Sequence, residues 1–139
     1  MSVTPAAGAP VVRVSAAVVT DEAGLALVVR KHGATVFQQP GGKPEPGEDA
    51  ADTVLREMAE EIGVHARRED LEPLGRFTAQ AANEPGHLVV ADAFAIRIRH
   101  EDAVPAAEIA EIRWVARDEV DEVPLAMLSR THLIGFAWR

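Results

Sequence analysis

Glu57, Glu60 and Glu61 stand in the segment from Asp49 to Ile62, which contains no Gly and no Pro and is therefore predicted to be a helix. Asp49 is placed to cap its start and Gly63 to end it. On a helix advancing about 100° per residue, Glu60 falls about 60° to one side of Glu57 and Glu61 about 40° to the other. The three carboxylates share one stripe, while Ala51, Val54, Leu55, Met58 and Ile62 form an apolar arc able to pack on a sheet. Like charges at these spacings repel by roughly 0.2–0.5 kcal/mol per exposed pair. The segment has no Lys, and its one basic residue is Arg56. A solvated acidic face is the plain reading of three glutamates, but one arginine cannot neutralise them, and a bound cation can. Hard oxygen ligands without Cys or clustered His point to Mg²⁺, with Mn²⁺ as a substitute, rather than to zinc. Mg²⁺ favours substrate phosphates as its remaining ligands, so the chemistry suggested is that of phosphates. Gly41 and Gly42, just upstream, let backbone approach a ligand closely, and the prolines around them stiffen the loop.

The remaining elements must hold that helix and loop together. Val11–Val19 and Leu25–Arg30 are apolar runs separated by turn residues Thr20–Gly24, which predicts a hairpin. His32–Ala34 reads as a loop, and the stretch from Pro40 to Gly47 is too rich in breakers for regular structure. Leu74–Ala82 and His87–Arg99 read as strands around an Asn83–Gly86 turn, Ile109–Val115 as a further strand, and a final helix is placed within Leu125–Gly135. Mixed elements with few βαβ crossovers predict an α+β sandwich. Residues 1–10 read as a loose lead-in and 11–139 as a single domain.

Composition narrows the function. The 139 residues are 47% hydrophobic and 26% charged, an ordinary globular balance with no apolar run long enough for a bilayer. A formal net charge of −8 disfavours general nucleic-acid binding. A divalent cation can reverse the field locally for a small anion. With no cysteine, disulfides and thiolate chemistry are excluded, and a reducing cytoplasmic location is the expectation; Met1–Pro10 carries neither a basic leader nor an apolar stretch. The histidines at positions 32, 65, 87, 100 and 132 form no ligand spacing.

Read together, Gly42, Glu48, Arg56, Glu57, Met58, Glu60, Glu61, Gly63 and Val64 resemble the Nudix box, G-x5-E-x7-R-E-U-x-E-E-x-G-U with U a bulky apolar residue, at every fixed position. The resemblance implies an α/β/α sandwich around a mixed sheet and a Mg²⁺-dependent hydrolase of nucleoside diphosphates linked to another group. By similarity to the family, Glu57, Glu60 and Glu61 would bind metal, the Gly41 carbonyl would complete the site, and Glu57 would also be a candidate base. Arg56 would hold the Glu57 carboxylate, and Glu48 would tune the metal surroundings or pair with Arg56. Glu108, six residues before Trp114, resembles the extra carboxylate that MutT-like members place opposite the helix, with Glu111 and Glu84 as alternatives. Arg30, Lys31 and Lys43 are candidates for substrate phosphates. Phe37 is a candidate for base contact because it lies just before the Gly-Gly loop.

The implied partner is a small nucleotide, most simply a nucleoside or deoxynucleoside triphosphate, oxidised forms included. Marks of the specialised groups are missing. The resemblance calls for a base-reading Asn where Ala126 and Met127 stand, for a Pro where Ala79 stands in ADP-ribose enzymes, and for a Tyr in dinucleoside polyphosphate enzymes, whereas this chain has no Tyr. The signature of coenzyme A enzymes upstream of the box is absent too. An ADP-ribose or nucleotide-sugar pyrophosphatase, or a nucleotide sensor without turnover, remains the alternative, and the resemblance also admits a homodimer.

Overall fold

A computed structural model of the chain describes residues 10–81 and 84–139. Strand β1 (Val11–Thr20) is followed by β2 (Ala26–Lys31), β3 (Gly41–Gly42), helix α1 (Ala50–Ile62), β4 (Glu72–Gln80), β5 (Leu88–Arg97) and β6 (Ile109–Val115). The chain closes on a helical segment that passes from a π turn (Ser129–Leu133) into a 3₁₀ stretch (Ile134–Trp138). The sheet runs β4-β5-β1-β2-β6, with β3 also paired to β1.

The sheet is mixed because β1 lies parallel to β5 along its whole length, from Val11↔Leu88 to Thr20↔Arg97, while its other neighbours are antiparallel. Both faces are covered. Ala17, Val19, Leu27 and Val29 face Val54, Met58 and Ile62 of α1. Their sequence neighbours Ala16 and Val18 pack on Leu133, and Ala26 and Val28 pack with Ile134, beneath the C-terminal helix. Burial on two faces is why β1 and β2 read as continuous apolar runs rather than as alternating strands. The α/β/α sandwich expected from the resemblance is the observed fold.

Helix α1 starts where a cap is available. The Asp49 side chain accepts from the Asp52 N–H at 2.8 Å, and the Asp52 carboxylate accepts from the Asp49 N–H at 3.3 Å, a reciprocal pair of a kind that stabilises a helix start by about 1 kcal/mol. Arg68 grips both carboxylates, at 2.9 and 2.7 Å. Gly63 ends the helix with φ 69°, a left-handed turn that glycine takes without a Cβ penalty.

Three expectations need correction. The Pro40–Gly47 loop is not irregular throughout, because Gly41 and Gly42 join the sheet opposite Ala16 and Ser15. A side chain at 41 would collide with the Ser15 carbonyl, so it is the missing Cβ that lets this backbone dock. The β1–β2 hairpin is paired at Val19↔Leu27 and Thr20↔Ala26 only; the larger partner of β2 is β6. The last helix runs past Gly135 to Trp138. Residues 1–9, and Ala82 and Asn83 of the expected strand end and turn, lie outside the described residues.

Candidate active site

Helix α1 presents two of its three glutamates inward. Glu57 is 9% exposed and Glu61 1% exposed, whereas Glu60 keeps about half of its side chain in solvent. The inward pair meets the glycine bend. The Gly41 N–H donates to Glu61 Oε1 at 3.0 Å, and a Cβ at position 42 would occupy the place of the Glu57 carboxylate. Both glycines are therefore required by close approach, one to β1 and the other to Glu57.

Electrostatically Glu61 is unsatisfied. Glu61 Oε2 is buried with no hydrogen-bond partner. Burial, reinforced by the Glu57 charge and opposed by the Gly41 N–H, pushes the Glu61 carboxyl up to about 8. Burial likewise pushes Glu57 up to about 7, with Glu60 and Glu108 adding to the effect and Arg56 and Lys31 pulling against it. Two adjacent carboxyls whose charged forms burial disfavours are an arrangement that a cation would complete.

Arg56 does not spend its fork on Glu57. Its Nε and Nη2 donate to Glu48 at 2.7 and 3.0 Å, and Nη2 also donates to the Lys43 carbonyl at 3.0 Å. Nη1 lies 3.6 Å from Glu57 and 3.5 Å from Glu60. The guanidinium thus ties the helix to the loop and leans on Glu57 only by charge. Held first by Arg56, and also by the Glu45 N–H and the Thr53 hydroxyl, the Glu48 carboxyl is lowered to about 2. Glu45, which approaches Arg56 Nε at 3.3 Å, carried no sequence signal beyond its place in the loop.

A cavity of about 480 Å³ opens beside these groups, and Gly41, Gly42, Lys43, Arg56 and Glu57 line it. Glu108 and Lys31 also line it and pair at 3.6 Å, as do Glu84 and Lys43 at 3.0 Å. Glu111 instead pairs with Arg30 at 3.2 Å, and neither belongs to the cavity wall. Phe37 is buried against Val28, Val115 and Leu125 in the layer below the C-terminal helix. It too stands outside the wall. Sequence reasoning missed Gln38, Gln39 and Ser129, which do line the cavity; a Gln pair before Pro-Gly-Gly is a faint signal, and Ser129 carries none.

A model of the NUDIX domain matches residues 10–134. The chain belongs to the Nudix family. Among curated Nudix relatives, "Putative 8-oxo-dGTP diphosphatase 3" of Mycobacterium tuberculosis is 36% identical over 90 residues, covering 62% of this chain and 40% of that protein. "Nucleoside diphosphate-linked moiety X motif 6" of Xenopus laevis is 34% identical over 87 residues, covering 61% and 38%. The matched part is thus about two fifths of these relatives' length. Among solved structures, the MutT protein of Methanosarcina mazei Go1 superposes with a TM-score of 0.74 at 19% identity, covering 95% of this chain and 96% of that one. The NUDIX domain of Shewanella oneidensis NrtR, complexed with ADP ribose, gives 0.71 at 18% identity, covering 88% and 83%. These likenesses establish the Nudix fold for this chain.

A second group of ligand-type side chains lies elsewhere. Asp21, Glu22 and His100 bring their ligand atoms within 4.8 Å of one another at the β1–β2 turn, away from the cavity wall. Asp21 Oδ1 accepts from the Ala23 and Leu25 N–H groups and Oδ2 from His100 Nδ1, at 2.9, 2.8 and 2.7 Å. That carboxylate is committed to the turn. Among the described residues, no helix is long and apolar enough to cross a membrane.

Proposed function

We propose that this chain is a metal-dependent pyrophosphohydrolase that cleaves a diphosphate bond in a small nucleotide, most simply a nucleoside or deoxynucleoside triphosphate. The observation that carries this reading is the inward pair Glu57 and Glu61, buried, raised in pKa and left with an orphaned oxygen beside a glycine bend. These residues fit a divalent cation. An all-oxygen donor set suits Mg²⁺ or Mn²⁺, and the unpartnered Glu61 oxygen is a ligand atom in want of a partner. Glu57, Glu60 and Glu61 would hold the ion with the Gly41 carbonyl, and Glu108 is the added carboxylate we favour because it lines the same cavity. When bound, such an ion supplies charge neutralisation at the diphosphate and acidity to water.

The protein's own groups do the rest. Glu57 would accept the proton that attacking water releases, because it is the carboxylate of α1 that lines the cavity. Water adds to one phosphorus, the bridging P–O bond breaks, and two phosphate-ended products leave. Arg56 and Glu48 position the turn of α1 that carries Glu57, because their bidentate pair ties it to the loop. Lys31 and Lys43, now paired with Glu108 and Glu84, are within the cavity to meet phosphate oxygens. The complete motif supports turnover rather than ligand sensing. The Mycobacterium tuberculosis relative's name makes oxidised guanine nucleotides a substrate to include. The cysteine-free composition supports work in a reducing cytoplasm.

The test is incubation with a panel of nucleoside triphosphates, 8-oxo-dGTP, ADP-ribose and nucleotide sugars, with and without Mg²⁺, followed by product identification. Metal-dependent release of a phosphate-ended nucleotide is expected. Binding without cleavage across the panel overturns the enzyme reading in favour of a sensor.

A further inference from the structure

Among the described residues, one residue other than glycine takes a positive φ. It is Ala107, at 52°, immediately before Glu108. A Cβ makes this left-handed region costly, and the turns at Gly24, Gly33, Gly47, Gly63 and Gly86 all enter it with glycine. Ala107 is exposed and stands outside the cavity wall, so no buried contact of its methyl group offsets the strain. The surrounding backbone holds it in place. The Ile109 N–H donates to the Ala106 carbonyl at 3.0 Å, which closes a four-residue turn with Ala107 second and Glu108 third. The Ala106 N–H donates to the Glu61 carbonyl and the Val104 N–H to the Ile62 carbonyl, both at 3.0 Å, and the Glu108 carbonyl accepts from the His32 N–H at 3.0 Å. The turn is thus tied to the last turn of α1 on one side and to the end of β2 on the other. Strained backbone fixed in this way clusters at functional sites.

We propose that Ala107 is a positioning residue whose left-handed backbone sets the hand of the 106–109 turn, and that this hand directs the Glu108 carboxylate to the cavity that Glu57 also lines. The sign of φ at the second position of a tight turn decides its hand. With a negative φ there, the peptide between 107 and 108 turns over, and the Glu108 side chain leaves the turn in another direction. Packing does not hold Glu108 at the wall, because its side chain is 57% exposed; the backbone must. Through the Ala106 N–H, the helix residue that carries the orphaned oxygen, Glu61, also anchors the turn that carries Glu108. The two carboxylates are therefore spaced by backbone. Support one step behind a ligand governs metal affinity by about 10- to 100-fold. This inference rests on the metal reading of the cavity and adds to it how the further carboxylate is held.

Metal binding tests it independently of turnover. Mg²⁺ alone is titrated by calorimetry into the full chain, unaltered and carrying Ala107→Gly, Ala107→Val, Glu108→Gln, or the last two changes together. Glycine takes this φ freely, so Ala107→Gly is expected to bind Mg²⁺ within about twofold of the unaltered chain. A β-branched residue cannot hold it without strain, and Ala107→Val is expected to bind about tenfold more weakly, as is Glu108→Gln. In the Glu108→Gln background, Ala107→Val is expected to change the affinity by less than about twofold, because the group it positions is already gone. Ala107→Leu serves if the valine chain melts too early to titrate. Unaltered affinity in the Ala107→Val or the Glu108→Gln chain, a loss as large in the glycine chain, or a tenfold loss that persists without the Glu108 carboxylate overturns the assignment. An unaltered chain that binds no Mg²⁺ overturns the metal reading itself, and this assignment with it.

Discussion

Asp21 and Glu61 are equally hidden, each 1% exposed, and yet their carboxyls move in opposite directions. Burial raises both. At Asp21 it is outweighed by hydrogen bonds from His100, Leu25 and Ala23, and the net shift is downward. At Glu61 a single N–H from Gly41 opposes burial and the Glu57 charge, and the carboxyl rises to about 8. The difference lies in the partners, since a carboxylate that only shapes a turn has both oxygens occupied, whereas Glu61 keeps one oxygen orphaned. Natural folds rarely leave such an atom without reason, and a cation supplies one. The same contrast explains why the Asp21–Glu22–His100 group belongs to the turn although its ligand atoms lie within 4.8 Å of one another.

The comparison breaks most decisively through activity. Glu57→Gln is expected to lower kcat by about 10²–10⁴-fold, the range of a lost general base, with an unchanged circular dichroism spectrum. Asp21→Asn is expected to leave kcat per folded molecule within about twofold and to lower stability by about 1–3 kcal/mol in denaturant melts, because it disturbs a satisfied buried group. A collapse of kcat in the Asp21 variant would merge the two regions and remove the distinction.

Metal and pH give the next largest effect. Between the ordinary glutamate value of 4.5 and about 7 to 8, the unfolded chain has released the Glu57 and Glu61 protons while the folded chain keeps them. The folded state binds more protons in this window, so the pair's contribution to metal-free stability falls as pH rises through it. Mg²⁺ held by this pair, as proposed, would displace those protons, and its stabilisation should grow over the same interval. Thermal melts at about pH 6 and about pH 8, with and without Mg²⁺, are expected to show the larger metal-induced rise in Tm at the higher pH. Glu61→Gln should reverse the ranking, raising the metal-free Tm near pH 8 by about 5 °C and abolishing most of the response to Mg²⁺. Asp21→Asn should leave that response intact.

What the sequence made legible follows the range of the interactions. Helix α1, its Asp49 cap and its Gly63 stop depend on neighbours within a few positions, and they appear where the residues put them. Strand β6 matches its sequence bounds because one apolar run lies between clear breaks. The Glu57, Glu60 and Glu61 stripe was readable from helical geometry, but not which members turn inward. That depends on the Gly41–Gly42 bend docking against β1, a contact between backbones that no side-chain pattern records. The parallel β1–β5 pairing and the Gln39–Ser129 pair join segments far apart in the chain. Phe37 looked like a pocket residue by proximity to the glycines, and alternation along its short bridge to Leu125 buries it instead.

The finest distinction concerns Glu108 and Glu111, which share strand β6 or its edge and both pair with cations from the end of β2. The register bulges between Arg30 and Lys31, which separates the destinations of the two pairs. Lys31 and Glu108 line the cavity, and Arg30 and Glu111 do not. Glu108 is also close enough to raise both Glu57 and Glu61, an effect Glu111 does not share. Glu108→Gln should therefore lower kcat by about tenfold, equal to about 1.4 kcal/mol of transition-state stabilisation, and weaken the rise in Tm that Mg²⁺ produces. Glu111→Gln removes one half of an exposed ion pair, worth about 0–1 kcal/mol, and should leave kcat within about twofold. Steady-state rates and Mg²⁺ melts on the two variants decide it, since equal losses at both positions would mean that the bulge does not divide site from scaffold.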